Sequence, residues 1–168
     1  MGLSTHLNTF VYVQRITREL TARRFGVVEL GSRDVNGQVR HLFAGQDYTG
    51  VDIAPGNNVD VVADGATFGE PAAYDLGLCL ETLEHAPNAA AIVANLRRIV
   101  RPGGLLILTM ATDPRAPHSA EDGLTVRPGE YYGNVTPADL IDWLGPCSPI
   151  TVEIDRIDGD LRATAWVR

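Results

Sequence analysis

The chain has 168 residues, of which 45% are hydrophobic and 21% are charged, and its net charge is −7. This length suits one domain, and the hydrophobic content is enough to form a sizeable core. The negative charge argues against a nucleic acid or an anionic membrane held by bulk electrostatics. All 14 basic residues are arginines, which excludes a Schiff-base lysine.

Cysteine use and hydropathy predict a cytoplasmic protein. Cys79 and Cys147 lie far apart in sequence and form neither a disulfide framework nor a CxxC metal pair. No apolar run reaches the length of about 18 residues that spans a membrane. The N-terminus lacks the charged start and apolar core of a signal peptide. We therefore expect a single domain over residues 1–168 with no membrane partner.

The first part of the chain predicts one helix followed by short strands. The helix lies in an N-terminal segment, residues 1–25, where apolar residues recur at helical spacing. The predicted elements are a helix over residues 5–24, strands over 27–30, 48–53, 59–64 and 74–80, and one or two helical turns over 37–43.

The second part predicts a helix, a strand, a long loop, a second helix and a hairpin. The first helix covers residues 88–100 and stops at the sequence RPGG, after which residues 105–110 form a strand. Residues 112–135, rich in Pro and Gly, predict a lid-like loop. Thr136 and Pro137 are typical of a helix N-terminus. The last residues alternate apolar and polar side chains around Asp158-Gly159, which is a hairpin pattern.

These elements predict an α/β fold with a mostly parallel seven-stranded sheet that ends in an antiparallel hairpin. Continuous apolar strands are typical of a parallel sheet with helices on both faces. Ligands of such sheets bind at the carboxyl ends of the strands. Acidic residues recur at those ends: Glu29, Asp52, Asp64 and Glu81, and the alternative for any one of them is a solvated acid or a helix cap. A carboxylate after the second strand suits a ribose, since its two oxygens accept from two hydroxyls.

The ordered set of strand motifs resembles the class I S-adenosylmethionine (SAM)-dependent methyltransferases, in particular the group often labelled type 11. The matching segments are VVELG, YTGVDI, VVADG, YDLGLCLETLEH and NLRRIVRPGGLLILT. The resemblance implies a Rossmann-like sheet and SAM as cofactor, with S-adenosylhomocysteine as its product.

The resemblance also implies a role for each strand end. Glu29 and Gly31 border the methionine moiety, and Asp52 binds the ribose hydroxyls. Asp64 hydrogen-bonds the adenine amino group, and Glu81 lies near the sulfonium. The implied cofactor-binding residues are Glu29, Gly31, Ser32, Arg33, Asp52, Ile53, Asp64, Gly65, Leu80 and Glu81.

The loop after the first strand departs from the family pattern. Arg33 and Val35 stand where the family has its second and third glycines. A SAM ligand carries no phosphate, so it needs a tight turn at Gly31 rather than the bare backbone that a dinucleotide requires. Arg33 is suited to the methionine carboxylate because guanidinium binds carboxylate bidentately. The alternative is a surface arginine paired with Asp34 or a helix end.

A second departure concerns the connection between the second and third strands. Residues 54–58 are too few for a helical crossover, because each extended residue adds only about 3.3 Å. The third strand is therefore expected to be short, and Asp64 is less firmly placed than Asp52.

Methyl transfer is an in-line displacement, so the enzyme positions the acceptor and helps to remove its proton. His85 follows the fourth strand and is the candidate base, with a structural role at the turn before Pro87 as the alternative. On the lid-like loop, His118, Tyr131 and Tyr132 are candidate substrate residues, with exposed loop positions as the alternative. No His, Asp or Cys cluster has metal-ligand spacing, so no metal is predicted.

The sequence thus predicts transfer of a methyl group from SAM to oxygen or nitrogen of a small-molecule acceptor. The segment after the fourth strand lacks the NPPY-type tetrapeptide of enzymes that methylate DNA bases. The first loop also lacks the G-x-G-x-x-G of nicotinamide-dependent dehydrogenases. A SAM- or nucleoside-binding module without turnover remains the alternative. The short chain has few insertions, so the pocket is either open or completed by a second subunit of a homodimer.

Overall fold

The computed structural model describes residues 2–18, 20 and 24–168. Within them the chain forms three helices, two short 3₁₀ helices and seven strands. The helices are α1 (Gly2–Thr17), α2 (Ala89–Ile99) and α3 (Pro137–Leu144), and the 3₁₀ helices are Arg40–Phe43 and Leu83–His85. The strands are β1 (Gly26–Leu30), β2 (Asp47–Asp52), β3 (Val61–Val62), β4 (Tyr74–Leu80), β5 (Val100–Ala111), β6 (Ile150–Asp155) and β7 (Asp160–Trp166).

All seven strands belong to one sheet in the order β3-β2-β1-β4-β5-β7-β6. β1 to β5 pair in parallel, whereas β7 pairs antiparallel to both β5 and β6. The predicted fold, a mostly parallel seven-stranded sheet ending in an antiparallel hairpin, is confirmed. The sheet places the carboxyl ends of β1, β2 and β4 side by side at one edge.

The sheet has a separate apolar core on each face. α1 and the first 3₁₀ helix cover one face, where Tyr12, Val13 and Phe43 pack on β1, β4 and β5. α2 and α3 cover the other face, where Leu96, Ile99 and Leu140 are fully buried. The prediction of helices on both faces is therefore confirmed. None of the helices in the described residues is long and apolar enough to cross a bilayer.

The N-terminal helix is shorter than predicted. It ends at Thr17 instead of residue 24, and residues 18, 20 and 24 are not helical. The Thr17 hydroxyl donates to the carbonyl of Val13 at 2.8 Å, and Leu20 N closes a turn onto the Thr17 carbonyl at 2.9 Å. Such a side-chain bond competes with the helical ladder, which favours termination here. The predicted helical positions 19 and 21–23 lie outside the described residues.

Two strands also differ from their predicted lengths. β3 keeps only two of the six predicted residues, in line with the short connection before it. β5 begins at Val100 and runs through RPGG, so it is longer than predicted. The register with β4 shifts there, and a Cβ on Gly104 would lie 2.4 Å from Val100 Cγ1. The glycine thus permits an irregular strand where the sequence suggested a stop.

Candidate cofactor and acceptor site

A cavity of about 790 Å³ lies at the carboxyl ends of β1, β2 and β4, within the usual size range of ligand sites. Residues 112–135, the lid loop, contain no helix or strand and form its opposite wall. The ten residues predicted to bind the cofactor all line the cavity: Glu29, Gly31, Ser32, Arg33, Asp52, Ile53, Asp64, Gly65, Leu80 and Glu81. His85 and His118 line it as well.

The chain turns sharply after β1 at Gly31, as predicted. Gly31 N and Ser32 N both donate to the carbonyl of Val51, at 2.8 and 3.0 Å. The φ of Gly31 is +81°, and a Cβ there would lie 2.1 Å from the hydroxyl oxygen of Thr82. Both the left-handed backbone and the close approach of β4 therefore require glycine at this position.

Asn58, which sequence reasoning missed, stabilises this turn through three hydrogen bonds. Its side-chain nitrogen donates to the Glu29 carboxylate at 3.0 Å and to the backbone carbonyl of Ser32 at 2.8 Å. The Ser32 hydroxyl in turn donates to the backbone carbonyl of Asn58 at 3.1 Å. Asn58 has a φ of +69°, a conformation that asparagine tolerates better than most residues. The asparagine pair in the β2–β3 connection was the available signal. Asn58 supports a loop that lacks two of the family's glycines.

Glu29 is buried beside this asparagine. Tyr48 donates its hydroxyl to the same carboxylate oxygen as Asn58. Burial raises the pKa of Glu29 to about 7, against the lowering effect of these two hydrogen bonds. Although Glu29 borders the cavity, its carboxyl is committed to partners within the protein.

Asp52 presents its carboxylate at the end of β2. One oxygen accepts from Ala54 N at 3.0 Å and the other from Arg33 N at 3.1 Å. A carboxylate oxygen can accept a second hydrogen bond, so this arrangement suits the two hydroxyls of a ribose. Ile53 beside it is 78% exposed at the lip of the cavity.

Asp64 and Gly65 lie at the β3 end of the cavity. Asp64 accepts from Ala66 N at 2.8 Å, which forms a local turn. The side chain of Asn95, on α2, donates to the carbonyl of Gly65 at 2.8 Å. The loop that carries Asp64 is thus tied to a helix, although β3 itself is short.

Arg33 forms a bidentate ion pair with Glu121 of the lid loop. Its two terminal nitrogens lie 2.9 Å from the two carboxylate oxygens. Asp34, one alternative partner, instead accepts from Gly37 N at 2.8 Å. The two segments that meet here are separated by 88 positions in sequence, so no local pattern predicted the pair.

Glu81 occupies the end of β4 with a φ of +50°, which is unusual for a residue other than glycine. Its carboxylate accepts from Arg115 at 2.6 Å and from the Thr9 hydroxyl at 3.2 Å. Arg115 also pairs with the buried Asp160 at the start of β7. Sequence reasoning missed Arg115, which joins the base of the lid loop to two strands.

Three rings meet where the second 3₁₀ helix faces the lid loop. The ring centroid of His118 lies 4.9 Å from that of His85 and 4.9 Å from that of Tyr132, and His85 lies 5.4 Å from Tyr132. Burial, followed by the charge of His118, lowers the pKa of His85 to about 4. Tyr131 does not join this cluster but lines a neighbouring cavity of about 210 Å³.

Glu84 lies beneath the rings and is fully buried. Burial and the charge of Glu81 raise its pKa to about 8. Glu84, His85 and His118 each offer one atom of the kind that binds metals, and these atoms lie within 4.8 Å of one another. The sequence predicted no such cluster, because the lid loop brings His118 back from a distant position. The positive charge of Arg115 partly offsets the rise in the pKa of Glu84 and adds to the lowering of the pKa of His85. The same charge opposes the binding of a cation here.

Sequence comparison finds similarity to methyltransferases. Residues 29–108 match the family model described as a methyltransferase domain. The chain is 33% identical over 92 residues to the ubiquinone biosynthesis O-methyltransferase of Leptothrix cholodnii, covering 50% of this chain and 39% of that protein. It is 32% identical over 103 residues to the same-named protein of Saccharophagus degradans, covering 55% and 44%. Each match thus spans less than half the length of the relative.

Solved structures share the fold. The 1,6-didemethyltoxoflavin-N1-methyltransferase of Burkholderia thailandensis, crystallised with its substrate and S-adenosylhomocysteine, superposes with a TM-score of 0.70 at 16% identity, covering 98% of this chain and 79% of that one. The magnesium protoporphyrin IX methyltransferase of Synechocystis, with bound S-adenosylhomocysteine, gives a TM-score of 0.69 at 19% identity, covering 99% and 86%.

Fold, strand-end site and family match together define a class I SAM-dependent methyltransferase fold, as the sequence predicted. Over residues 29–108 the chain carries the sequence pattern of the methyltransferase domain family.

Proposed function

We propose that the protein transfers a methyl group from SAM to oxygen or nitrogen of a small-molecule acceptor, with residues 1–168 acting as one domain. The observation that carries the proposal is the convergence of all ten predicted cofactor residues on one cavity, with His85 and His118 at its acceptor side. The relatives named O-methyltransferases support the reaction type. The methyltransferase structures bound to small molecules support the class of acceptor.

The cofactor half of the site is assigned to the strand ends. Asp52 holds the ribose hydroxyls, and Asp64 with Gly65 holds the adenine end. Arg33 binds the methionine carboxylate, and Leu80 with Glu81 borders the sulfonium. Gly31 and Ser32 allow the cofactor to approach the β1 turn, which Glu29 supports from within the protein.

The acceptor half is assigned to His85 and His118, with Tyr132 packed against both rings. A lone pair of the acceptor attacks the methyl carbon while the carbon–sulfur bond breaks and its electron pair stays on sulfur. The acceptor's proton passes to His85, whose imidazole is neutral at neutral pH because burial lowers its pKa, although the same low pKa makes it a weaker base than a free histidine. The ring of Tyr132 packs against both histidines and positions them, whereas Tyr131 lies beyond the main cavity.

The remaining proposals concern the partners of the protein, its location and its oligomeric state. The net charge of −7 supports a protein without a nucleic-acid or membrane partner, and we propose a cytoplasmic location. A homodimer would close the open side of the cavity, where this short chain has few insertions.

The test of the base is His85→Ala. We expect kcat for methyl transfer to fall by roughly 10²–10⁴ while S-adenosylhomocysteine affinity is unchanged. Labelled methyl groups from SAM are followed into the low-mass fraction of a cell extract, and calorimetry measures the affinity. His41→Ala is the matched control, since His41 stacks on Phe10 and does not line the cavity. An equal loss of cofactor affinity in His85→Ala would indicate a structural role at the turn. Label in DNA or RNA alone would overturn the acceptor class.

A SAM- or nucleoside-binding module without turnover is the second candidate. The replacement of two family glycines by Arg33 and Val35 favours it. Methyl transfer to any acceptor would exclude it, whereas binding of S-adenosylhomocysteine without any labelled product would favour it over the enzyme.

A further inference from the structure

The lid loop is attached to the rest of the protein differently at its base and at its tip. At the base, Arg115 pairs with Glu81 and with Asp160, and Gly133 N donates to the Glu84 carbonyl at 2.8 Å. At the tip, residues 117–124, the hydrogen bonds to the β1 loop among the described residues all come from Arg33. The base is therefore held by several buried contacts. The tip is linked to the β1 loop through the Arg33 side chain, and its His118 ring packs on His85.

The contact at the tip is a carboxylate in the fork of a guanidinium. Besides the two 2.9 Å bonds to Glu121, Arg33 reaches the carbonyl of Ala120 at 3.4 Å. The Arg33 side chain is only 21% exposed, whereas that of Glu121 is 47% exposed. Arg33 is thus fixed within the site, and Glu121 is the partner that can leave for water.

The same guanidinium lies where the cofactor needs a cation. Arg33 follows β1 and lines the cavity, its backbone nitrogen donates to Asp52, and Glu121 lines the cavity with it. The methionine end of SAM carries a carboxylate, the chemical group that Glu121 presents. A planar guanidinium fork binds one carboxylate at a time along the edge formed by its two terminal nitrogens.

We propose that Glu121 is an internal competitor of the cofactor, so that the methionine carboxylate displaces it from Arg33 and breaks the ion pair between the lid loop and the β1 loop. This inference rests on the proposed function, because it assumes a ligand with an amino-acid end. One carboxylate replaces another on Arg33, and the half-exposed Glu121 side chain is released to water, so the exchange has a small net cost.

The test is calorimetric titration with two probes. S-adenosylhomocysteine carries the carboxylate, whereas 5′-deoxy-5′-methylthioadenosine keeps the nucleoside and the thioether but lacks the amino-acid end. Glu121→Gln should bind S-adenosylhomocysteine about 3–10-fold more tightly than the parent and bind the second probe with unchanged affinity. Asp122→Asn is the matched control, since it removes the adjacent charge from an exposed pair with Arg127 and should change neither affinity.

Arg33→Ala completes the experiment as a double-mutant cycle. Alone it should weaken S-adenosylhomocysteine binding about tenfold or more. Combined with Glu121→Gln, it should abolish the gain, because the two changes act on one interaction. A gain that persists without Arg33, or an equal gain for both probes, would overturn the proposal.

The outcomes also separate this inference from the proposed function. If the parent does not bind S-adenosylhomocysteine, both the function and the competition are wrong. If the parent binds it and Glu121→Gln binds it equally well or more weakly, the competition alone is wrong.

Discussion

On the β1–β2 side of the cavity, short strands and backbone hydrogen bonds set the position of each polar group, and Asn58 and Glu29 support the turn from inside the protein. On the opposite side, a loop without regular structure carries His118 and is fixed by ion pairs, one buried at its base and one exposed at its tip. The comparison teaches that the two sides should respond differently to substitution. Changes beside the sheet or at the lid base should cost stability, whereas changes at the tip should alter ligand affinity.

The largest expected loss of stability comes from a substitution at the base of the lid loop. Arg115→Ala leaves the carboxylates of Glu81 and Asp160 without this cation, and Asp160 is only 3% exposed. Removal of one partner from a buried ion pair typically costs about 3–5 kcal/mol, and we expect a loss at the lower end of this range because Arg162 still pairs with Asp160. The free energy of unfolding from urea titration measures it.

Arg127→Ala is the control for that comparison. Arg127 belongs to the same loop but pairs with Asp122 at the surface, where its side chain is 54% exposed. Its removal should cost less than about 1 kcal/mol. Equal losses for the two arginines would show that the base of the lid loop is no more firmly held than its exposed part.

The turn after β1 gives the next effect. Gly31→Ala forces a side chain into a left-handed conformation and against Thr82, with an expected loss of about 2–4 kcal/mol. Gly45→Ala is the matched control, because Gly45 has the same left-handed backbone, with a φ of +85°, but a Cβ there meets nothing within 4 Å. It should cost about 1–2 kcal/mol. Thermal and urea unfolding measure the loss of stability in both variants. Equal losses would show that contact with Thr82 adds nothing to the cost of a side chain at Gly31.

The dependence of stability on pH tests the buried carboxyl group on the sheet side of the cavity. The pKa of Glu29 rises from 4.5 to about 7 on folding, because burial disfavours its charged form. Its contribution is fully present below about pH 4.5 and is lost as the pH rises through 7. The buried Glu84 acts in the same direction.

Glu29→Gln should therefore flatten the loss of stability between about pH 5 and 8, by up to about 3 kcal/mol. Urea titrations across this pH range measure the slope. Glu153→Gln is the control, since Glu153 lies at the surface in a pair with Arg15 and should leave the slope unchanged. If the slope of stability against pH is the same in Glu29→Gln and the parent, Glu29 does not take up a proton on folding in this pH range.

The contrast between the two sides also explains what the sequence predicted. Gly31 and Asp52 follow strands whose apolar runs are easily recognised, and parallel strands bring their carboxyl ends to one edge. The resemblance carried by the ordered motifs assigned ten residues to the cofactor, and all ten line the cavity at this edge, while their binding roles stay a prediction.

The rest had no local signal. Asn58 reaches the β1 turn through a left-handed backbone, and Arg33 meets Glu121 across 88 positions of sequence. Pairs of this kind depend on how a loop folds over the sheet, and a periodic pattern carries no such information. The same reason applies to the meeting of Glu84, His85 and His118, whose spacing predicted no cluster.

The central claim, that the strand-end cavity binds SAM through Asp52, is tested most directly by calorimetric titration with S-adenosylhomocysteine. Asp52→Ala removes charge-assisted hydrogen bonds worth about 1.5–3 kcal/mol and should weaken binding about 10–150-fold. Asp47→Ala is the control at the opposite end of β2, where the aspartate pairs with Arg24, and should bind like the parent. Equal affinity of the parent and Asp52→Ala would contradict the assignment of the site.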